Sequence, residues 1–352
     1  MTKVFKEISC LIISKIDVIF FGKEEAMRYR WVGAALVIVL ISFLADANPT
    51  ASASQKAASA KARPRGGFTG PDVPAFVPML GDYALIGVQT QDKRTDVPKL
   101  LAALKTMGAR DYLHLVWSKN LYPDSWEDFK LLASEFQKVG LRLWLYLVPP
   151  SEPPAPEPFG YDYVRWAGEC AALAKEYPCV AGLCIDDFNG NVDKFTPAYC
   201  KDMMNAAHKI APHLALLVTN YFGCYEDTMA EHVRAGAIDG VIFPYFLPQK
   251  NHSDPTLLLS QIGTFRRWLD VQTGLGGFSK TMPLVVMIYA TKHSQSSDSP
   301  TSGFIQRCLE IGLEAAGKGL ADGVCTYCLP KDKPEFMDSV ASVYKPWRAR
   351  IK

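Results

Sequence analysis

Eight apolar runs of strand length, each followed by a segment with apolar residues at helical spacing, constrain this chain more than any single motif. The runs are Tyr83–Gln89, Arg110–Trp117, Leu141–Val148, Val180–Ile185, Leu214–Asn220, Asp239–Tyr245, Leu284–Tyr289 and Gly323–Cys328. The helical segments are Pro98–Met107, Trp126–Val139, Tyr161–Tyr177, Ala198–Ile210, Tyr225–Ala235, Pro255–Leu269, Thr301–Gly317 and Pro334–Val343. Eight β/α units in about 270 residues predict an α/β fold, a single (β/α)8 barrel over residues 76–352 with its helices outside. A doubly wound sheet shares the alternation, but no Gly-x-Gly-x-x-Gly follows the first run.

The segment before the barrel has a different character. Met27-Arg-Tyr-Arg30 is a basic head on the apolar stretch Trp31–Leu44, and Ala45-Asp-Ala47 follows with the small-x-small spacing of a cleavage site. Residues 1–47 are therefore expected to be an export signal, with Met27 a more natural start than Met1. Left uncleaved, the signal would anchor the chain to a membrane. Residues 48–75, rich in Ala, Ser, Pro and Gly, read as a flexible leader. The expected location is periplasmic or extracellular.

A net charge of +2 and the absence of a basic stripe interleaved with aromatics argue against nucleic acid as a partner. Nine cysteines occur, and Cys325-Thr-Tyr-Cys328 has the spacing of a metal or redox pair. No second cysteine pair or histidine cluster accompanies it, so buried thiols are expected, while export would permit a disulfide such as Cys170–Cys179.

A parallel barrel gathers the residues that end its strands on one face. Those residues are Gln89, Trp117, Tyr146, Glu152, Asp186, Asp187, Asn189, Asn220, Tyr221, Tyr245, Tyr289 and Tyr327. In the fourth run, Gly182, Cys184 and Asp186 share one orientation and Leu183 and Ile185 the other. Asp186 should point toward the barrel axis, and Asp187, just past the strand, should be free to turn toward the same ligand. Two adjacent carboxylates are costly unless a proton, ligand or counter-charge compensates, which marks a reaction centre. Glu152 sits in Pro149–Pro158, a stretch with six prolines in ten residues, stiff enough to form a rim above the pocket. Trp117, Tyr146, Asn189, Asn220, Tyr221, Tyr245, Tyr289 and Tyr327 suit a sugar pocket, with apolar faces and polar edges, and Trp117 or Tyr245 is expected as its floor. Among the histidines, His252 and His293 lie in loops on this face, whereas His114, His208, His213 and His232 read as structural. They define no zinc site, and no cofactor is implied.

The barrel span and the run Gly182-Leu-Cys-Ile-Asp-Asp-Phe-Asn189 resemble the TIM-barrel glycoside hydrolases. Most similar is the Asp-Asp β-N-acetylglucosaminidase group that includes O-GlcNAcases and hyaluronidase-like enzymes. That resemblance implies hydrolysis of an extracellular or envelope glycan assisted by the substrate's own N-acetyl group. Asp186 would orient the acetamido group, Asp187 would protonate the leaving oxygen and then deprotonate water, and Asn220 or Tyr245 would hold the sugar. No Trp-Asp-Asn run appears later in the chain, which keeps open a glycosidase pairing Glu152 with one aspartate. A noncatalytic glycan-binding barrel and a metal-dependent hydrolase that removes a glycan substituent are the remaining alternatives.

Overall fold

The computed structural model describes residues 78–246, 254–275, 282–293, 296 and 298–350. Its strands are β1 (Met79–Tyr83), β2 (Asp111–Val116), β3 (Arg142–Leu147), β4 (Val180–Ile185), β5 (Ala215–Thr219), β6 (Gly240–Tyr245), β7 (Leu284–Tyr289) and β8 (Gly323–Tyr327). All pair in parallel in sequence order, and β8 returns to β1, closing an eight-stranded barrel. The outer layer contains α1 (Val97–Met107), α2 (Ser125–Val139), α3 (Tyr163–Glu176), α4 (Pro197–His208), α5 (Tyr225–Ala235), α6 (Leu258–Leu275), α7 (Ser302–Gly317) and α8 (Pro334–Arg348).

Several helices begin where side chains satisfy otherwise unpaired backbone donors. Asp96 accepts from Lys99 N ahead of α1, Asp162 from Arg165 N ahead of α3, and Thr196 and Thr301 do the same for α4 and α7. The expected signal and leader, residues 1–75, lie outside the described residues, as does His252. No helix among the described residues is long and apolar enough to cross a membrane.

Strand alternation divides the core in two. Leu183 and Ile185 face outward to the helices, whereas Leu113, Leu115, Trp144, Tyr146, Cys184 and Met287 fill the barrel. Gly182 faces inward on β4, paired with Ala215 of β5. A Cβ there would lie 2.0 Å from the Ala215 carbonyl oxygen, so only glycine fits.

The first strand falls earlier than its sequence suggests, at Met79–Tyr83 rather than Tyr83–Gln89. Ala84 and Gly87 adopt left-handed φ values of 70° and 78°, which turn the chain out of the sheet. Gln89 consequently leaves the strand and donates from its side chain to Lys93 O. The strand tolerates Asp82 because this carboxylate is neutralised where it is buried. Lys331 Nζ lies 2.6 Å from Asp82 Oδ2 with both side chains fully buried, and Thr326 Oγ1 donates to Asp82 Oδ1 at 2.6 Å. Lys331 also donates to Ala84 O at 2.7 Å, tying the loop after β8 to the one after β1. Burial raises the proton affinity of Asp82, and Lys331 opposes that rise.

The N-terminal end of the barrel is plugged. Asp111 Oδ1 accepts from Trp144 Nε1 at 3.0 Å, and its Oδ2 accepts from Arg142 at 2.8 Å. Cys325 packs inside the barrel, and Cys170 and Cys179 are both free thiols rather than a disulfide.

Candidate active site

Beyond the C-terminal ends of the strands, Glu152, Asp186, Asp187, Thr219, Tyr221, Pro244, Met287, Tyr289, His293 and Tyr327 line a recess of about 320 Å3 up to its open mouth.

Asp186 forms the deep end. It continues the inward series of β4, and its Oδ1 accepts from the Tyr146 hydroxyl at 2.8 Å and from Asp187 N at 2.9 Å. The Tyr146 hydroxyl also meets Thr219 Oγ1 at 2.7 Å, so β3, β4 and β5 share one polar chain. Asp186 is 9% exposed. Burial, followed by the charges of Asp187 and Glu152, raises its proton affinity well above that of an ordinary aspartate, while the Tyr146 hydrogen bond acts in the opposite direction.

Asp187 turns the chain immediately after the strand, with a left-handed φ of 36°, and this brings its carboxyl to the recess. Such a conformation is unfavourable for a residue with a side chain and requires support from its surroundings. Asn191 supplies it, donating from Nδ2 to Asp187 O at 2.9 Å.

Glu152 comes from the proline-rich loop after β3. Trp117 Nε1 donates to Pro154 O at 2.8 Å, and Glu157 N donates to Trp117 O at 3.2 Å, pinning this loop to the one after β2. Burial, then the neighbouring Asp187, pushes the Glu152 carboxyl up to about 7. The recess therefore brings a glutamate that keeps its proton up to about neutral pH beside Asp187, with the Asp186 carboxyl below them.

The wall is aromatic. The Tyr221 and Tyr289 hydroxyls meet at 3.2 Å, the Tyr289 and Tyr327 rings lie 4.6 Å apart, and Tyr83 stacks on Tyr327 at 5.0 Å. His293 stands edge-on to Tyr289, and burial lowers its proton affinity against the opposing pull of Asp187.

Of the residues singled out from sequence, Glu152, Asp186, Asp187, Tyr221, Tyr289 and Tyr327 come together at the recess, and Tyr146 braces it from below. Trp117 is absent from the lining and holds the Glu152 loop instead. Asn220 and Tyr245 are not in the lining either, because Asn220, just past the end of β5, and Tyr245 of β6 both follow an inward-facing residue and turn outward. Asn220 Nδ2 donates to Thr228 Oγ1 at 3.1 Å, and the Tyr245 hydroxyl donates to Asp254 O at 2.6 Å. The inward neighbours Thr219 and Pro244 take those places, so the expected floor of Trp117 or Tyr245 is replaced by Thr219, Pro244 and Met287. Asn189 sits in the short 3-10 turn Phe188–Gly190, outside the lining.

The other described histidines bond to backbone carbonyls: His114 to Ser125 O, His208 to Leu214 O, His213 to Val180 O and His232 to Phe195 O. Among the described residues no group of three or more His, Cys, Asp or Glu side chains is placed to hold a metal ion.

No protein-family model matches the sequence, and no curated protein matches it. Among solved structures, the chain is similar to a GH2 β-galacturonidase from Eisenbergiella tayi bound to glycerol, with 11% identity and a TM-score of 0.49 over 77% of this chain and 51% of that one. It is also similar to a Ruminococcus gnavus β-glucuronidase in complex with D-glucuronic acid, with 12% identity and a TM-score of 0.45 over 72% and 42% of the two chains. A Bacteroides uniformis β-glucuronidase matches with 14% identity and a TM-score of 0.46 over 74% and 31%. The chain thus spans about half, or less, of the length of these structures. The chemistry of the recess is accordingly read from its own side chains.

Proposed function

We propose that the chain is a glycoside hydrolase acting on a neutral glycan, with the proton shared by Glu152 and Asp187 as its acid and Asp186 as the anchor beneath the sugar. The observation carrying this reading is the convergence of Glu152 and Asp187 over a buried Asp186 within one tyrosine-lined recess. A carboxyl group ionising at about 7 retains a proton to donate at neutral pH and becomes a competent base once that proton has gone.

In this reading Glu152 and Asp187, side by side in the recess, act together as one acid/base unit, and the nucleophile comes from elsewhere. An N-acetyl group on the substrate would provide it. With its N–H accepted by Asp186, the acetamido oxygen attacks the anomeric carbon while the glycosidic oxygen leaves with the proton of the pair. Water, deprotonated by the same pair, then opens the cyclic intermediate. The sugar is neutral in this reading because the described lining contains three carboxyl groups and neither lysine nor arginine.

The test compares an aryl N-acetylhexosaminide with the matching hexoside and hexuronide. Turnover concentrated on the N-acetylhexosaminide and lost in Asp187→Asn supports the full reading. Equal turnover of the plain hexoside removes the acetamido step, whereas sugar binding without hydrolysis of any substrate reassigns the recess to noncatalytic glycan binding.

A further inference from the structure

Asn191 lies outside the recess, yet it is the side chain that joins the two loops from which the carboxyl pair is built. It is 7% exposed and follows the short 3-10 turn after Asp187. Its Oδ1 accepts from Ser151 N at 3.0 Å. Its Nδ2 donates to Ser151 Oγ at 2.8 Å and to Asp187 O at 2.9 Å. One amide therefore grips the residue before Glu152 through both a backbone and a side-chain atom, and also grips the backbone of Asp187. A helix cap or simple turn needs bonds within its own segment, whereas two of these three cross to the loop after β3.

Trp117 fixes that loop at Pro154, on the far side of Glu152. The Asn191 bonds hold the near side, so between them Glu152 has little freedom to withdraw from Asp187. We infer that Asn191 is a positioning residue that latches the proline-rich loop to the Asp187 turn and thereby keeps the Glu152 and Asp187 carboxyls in contact. The inference rests on the reading of that pair as the acid, but it concerns the protein without substrate and can fail independently of any glycosidase activity.

The titratable groups that share the recess with Glu152 are Asp186, Asp187, Tyr221, Tyr289, His293 and Tyr327, and the charge of Glu152 also reaches Tyr163 on α3; Asp187 is the one whose charge acts on the Glu152 proton. Of these, the Asn191 amide directly bonds only Asp187, through its backbone oxygen, and this selectivity makes the latch testable.

The experiment follows the Glu152 carboxyl by carbon-13 NMR in the full, substrate-free chain as pH is varied. With the latch intact, Glu152 titrates at about 7. In Asn191→Ala the two loops part, the carboxyl becomes better solvated and further from Asp187, and proton binding weakens by about tenfold or more, a fall of one unit in the midpoint. In an Asp187→Asn background, where the charge acting on Glu152 is gone and only the change in burial remains, Asn191→Ala should have a smaller effect. Ser151→Ala, a milder change at an exposed residue, loses one bond of the latch and should weaken proton binding by about threefold. It provides the measurement if Asn191→Ala does not fold. An unchanged midpoint in a folded Asn191→Ala protein, or in Ser151→Ala where the former is unfolded, overturns the inference. So does a shift of equal size in the wild-type and Asp187→Asn backgrounds, because the effect would then bypass the carboxyl pair.

Discussion

Glu152 and Asp187 stand on loops that follow the neighbouring strands β3 and β4 and converge on one recess, where burial and then the charge of Asp187 raise the proton affinity of Glu152. This relationship links proton affinity, loop geometry and proposed chemistry, and it has consequences on both sides of neutral pH.

If Glu152 carries the catalytic proton, kcat/KM should fall along an alkaline limb centred near pH 7, matching the raised affinity of this group. Glu152→Gln should remove that limb and lower the rate by about 10²–10⁴-fold. The same group links stability to pH. Its proton affinity is raised in the fold above the ordinary glutamate value of 4.5, so its stabilising contribution is complete below that pH and is lost as pH rises through about 7. Urea titrations across this window should show wild-type stability declining, with a flatter profile in Glu152→Gln.

Tyr146→Phe should separate support from chemistry. The change removes the hydroxyl that Asp186 and Thr219 share and leaves Asp187 N as a donor to Asp186 Oδ1. A lost bond to a buried polar group costs about 1–3 kcal/mol, and the proton affinity of Asp186 should rise further. Equilibrium denaturation measures the first effect and carboxyl NMR the second. An unchanged Asp186 titration would show that the Tyr146 contact does not influence it.

The buried Lys331–Asp82 pair predicts an asymmetric mutational result. Lys331→Met leaves a carboxylate without its counter-charge and should cost about 3–5 kcal/mol, read as a drop in Tm. Combining it with Asp82→Leu should recover much of that loss, since a buried pair replaced by apolar groups is often neutral or better.

The acidic lining should discriminate against charged sugars. Two unit charges about 4 Å apart repel by about 4 kcal/mol at an effective dielectric of 20. Allowing for screening at an open mouth, an aryl hexuronide should show a kcat/KM at least about tenfold below that of its neutral counterpart, with the gap narrowing as salt is added. A hexuronide hydrolysed as fast as the neutral substrate would place a cation where the described lining has none.

The barrel was readable in the chain because seven of its strands are nearly unbroken apolar runs, as expected when both faces of a parallel sheet are covered. Strand β1 escaped because Gly81 and Asp82 interrupt its apolar pattern, and the partner that makes Asp82 tolerable, Lys331, lies at the other end of the domain. At the site, alternation placed Asp186 correctly inward, and the same parity applied to β5 and β6 would have selected Thr219 and Pro244 over Asn220 and Tyr245. Asn191 had no such signal. Its importance lies in bonds to Ser151, a residue on a different loop that only the closed barrel brings near.

The plug of Asp111, Arg142 and Trp144, together with the side chains packed above it, has a kinetic corollary. A barrel filled from below offers no back exit. On the proposed chemistry, a released sugar departs through the same doorway by which the next glycan arrives, and product should compete with substrate for that passage.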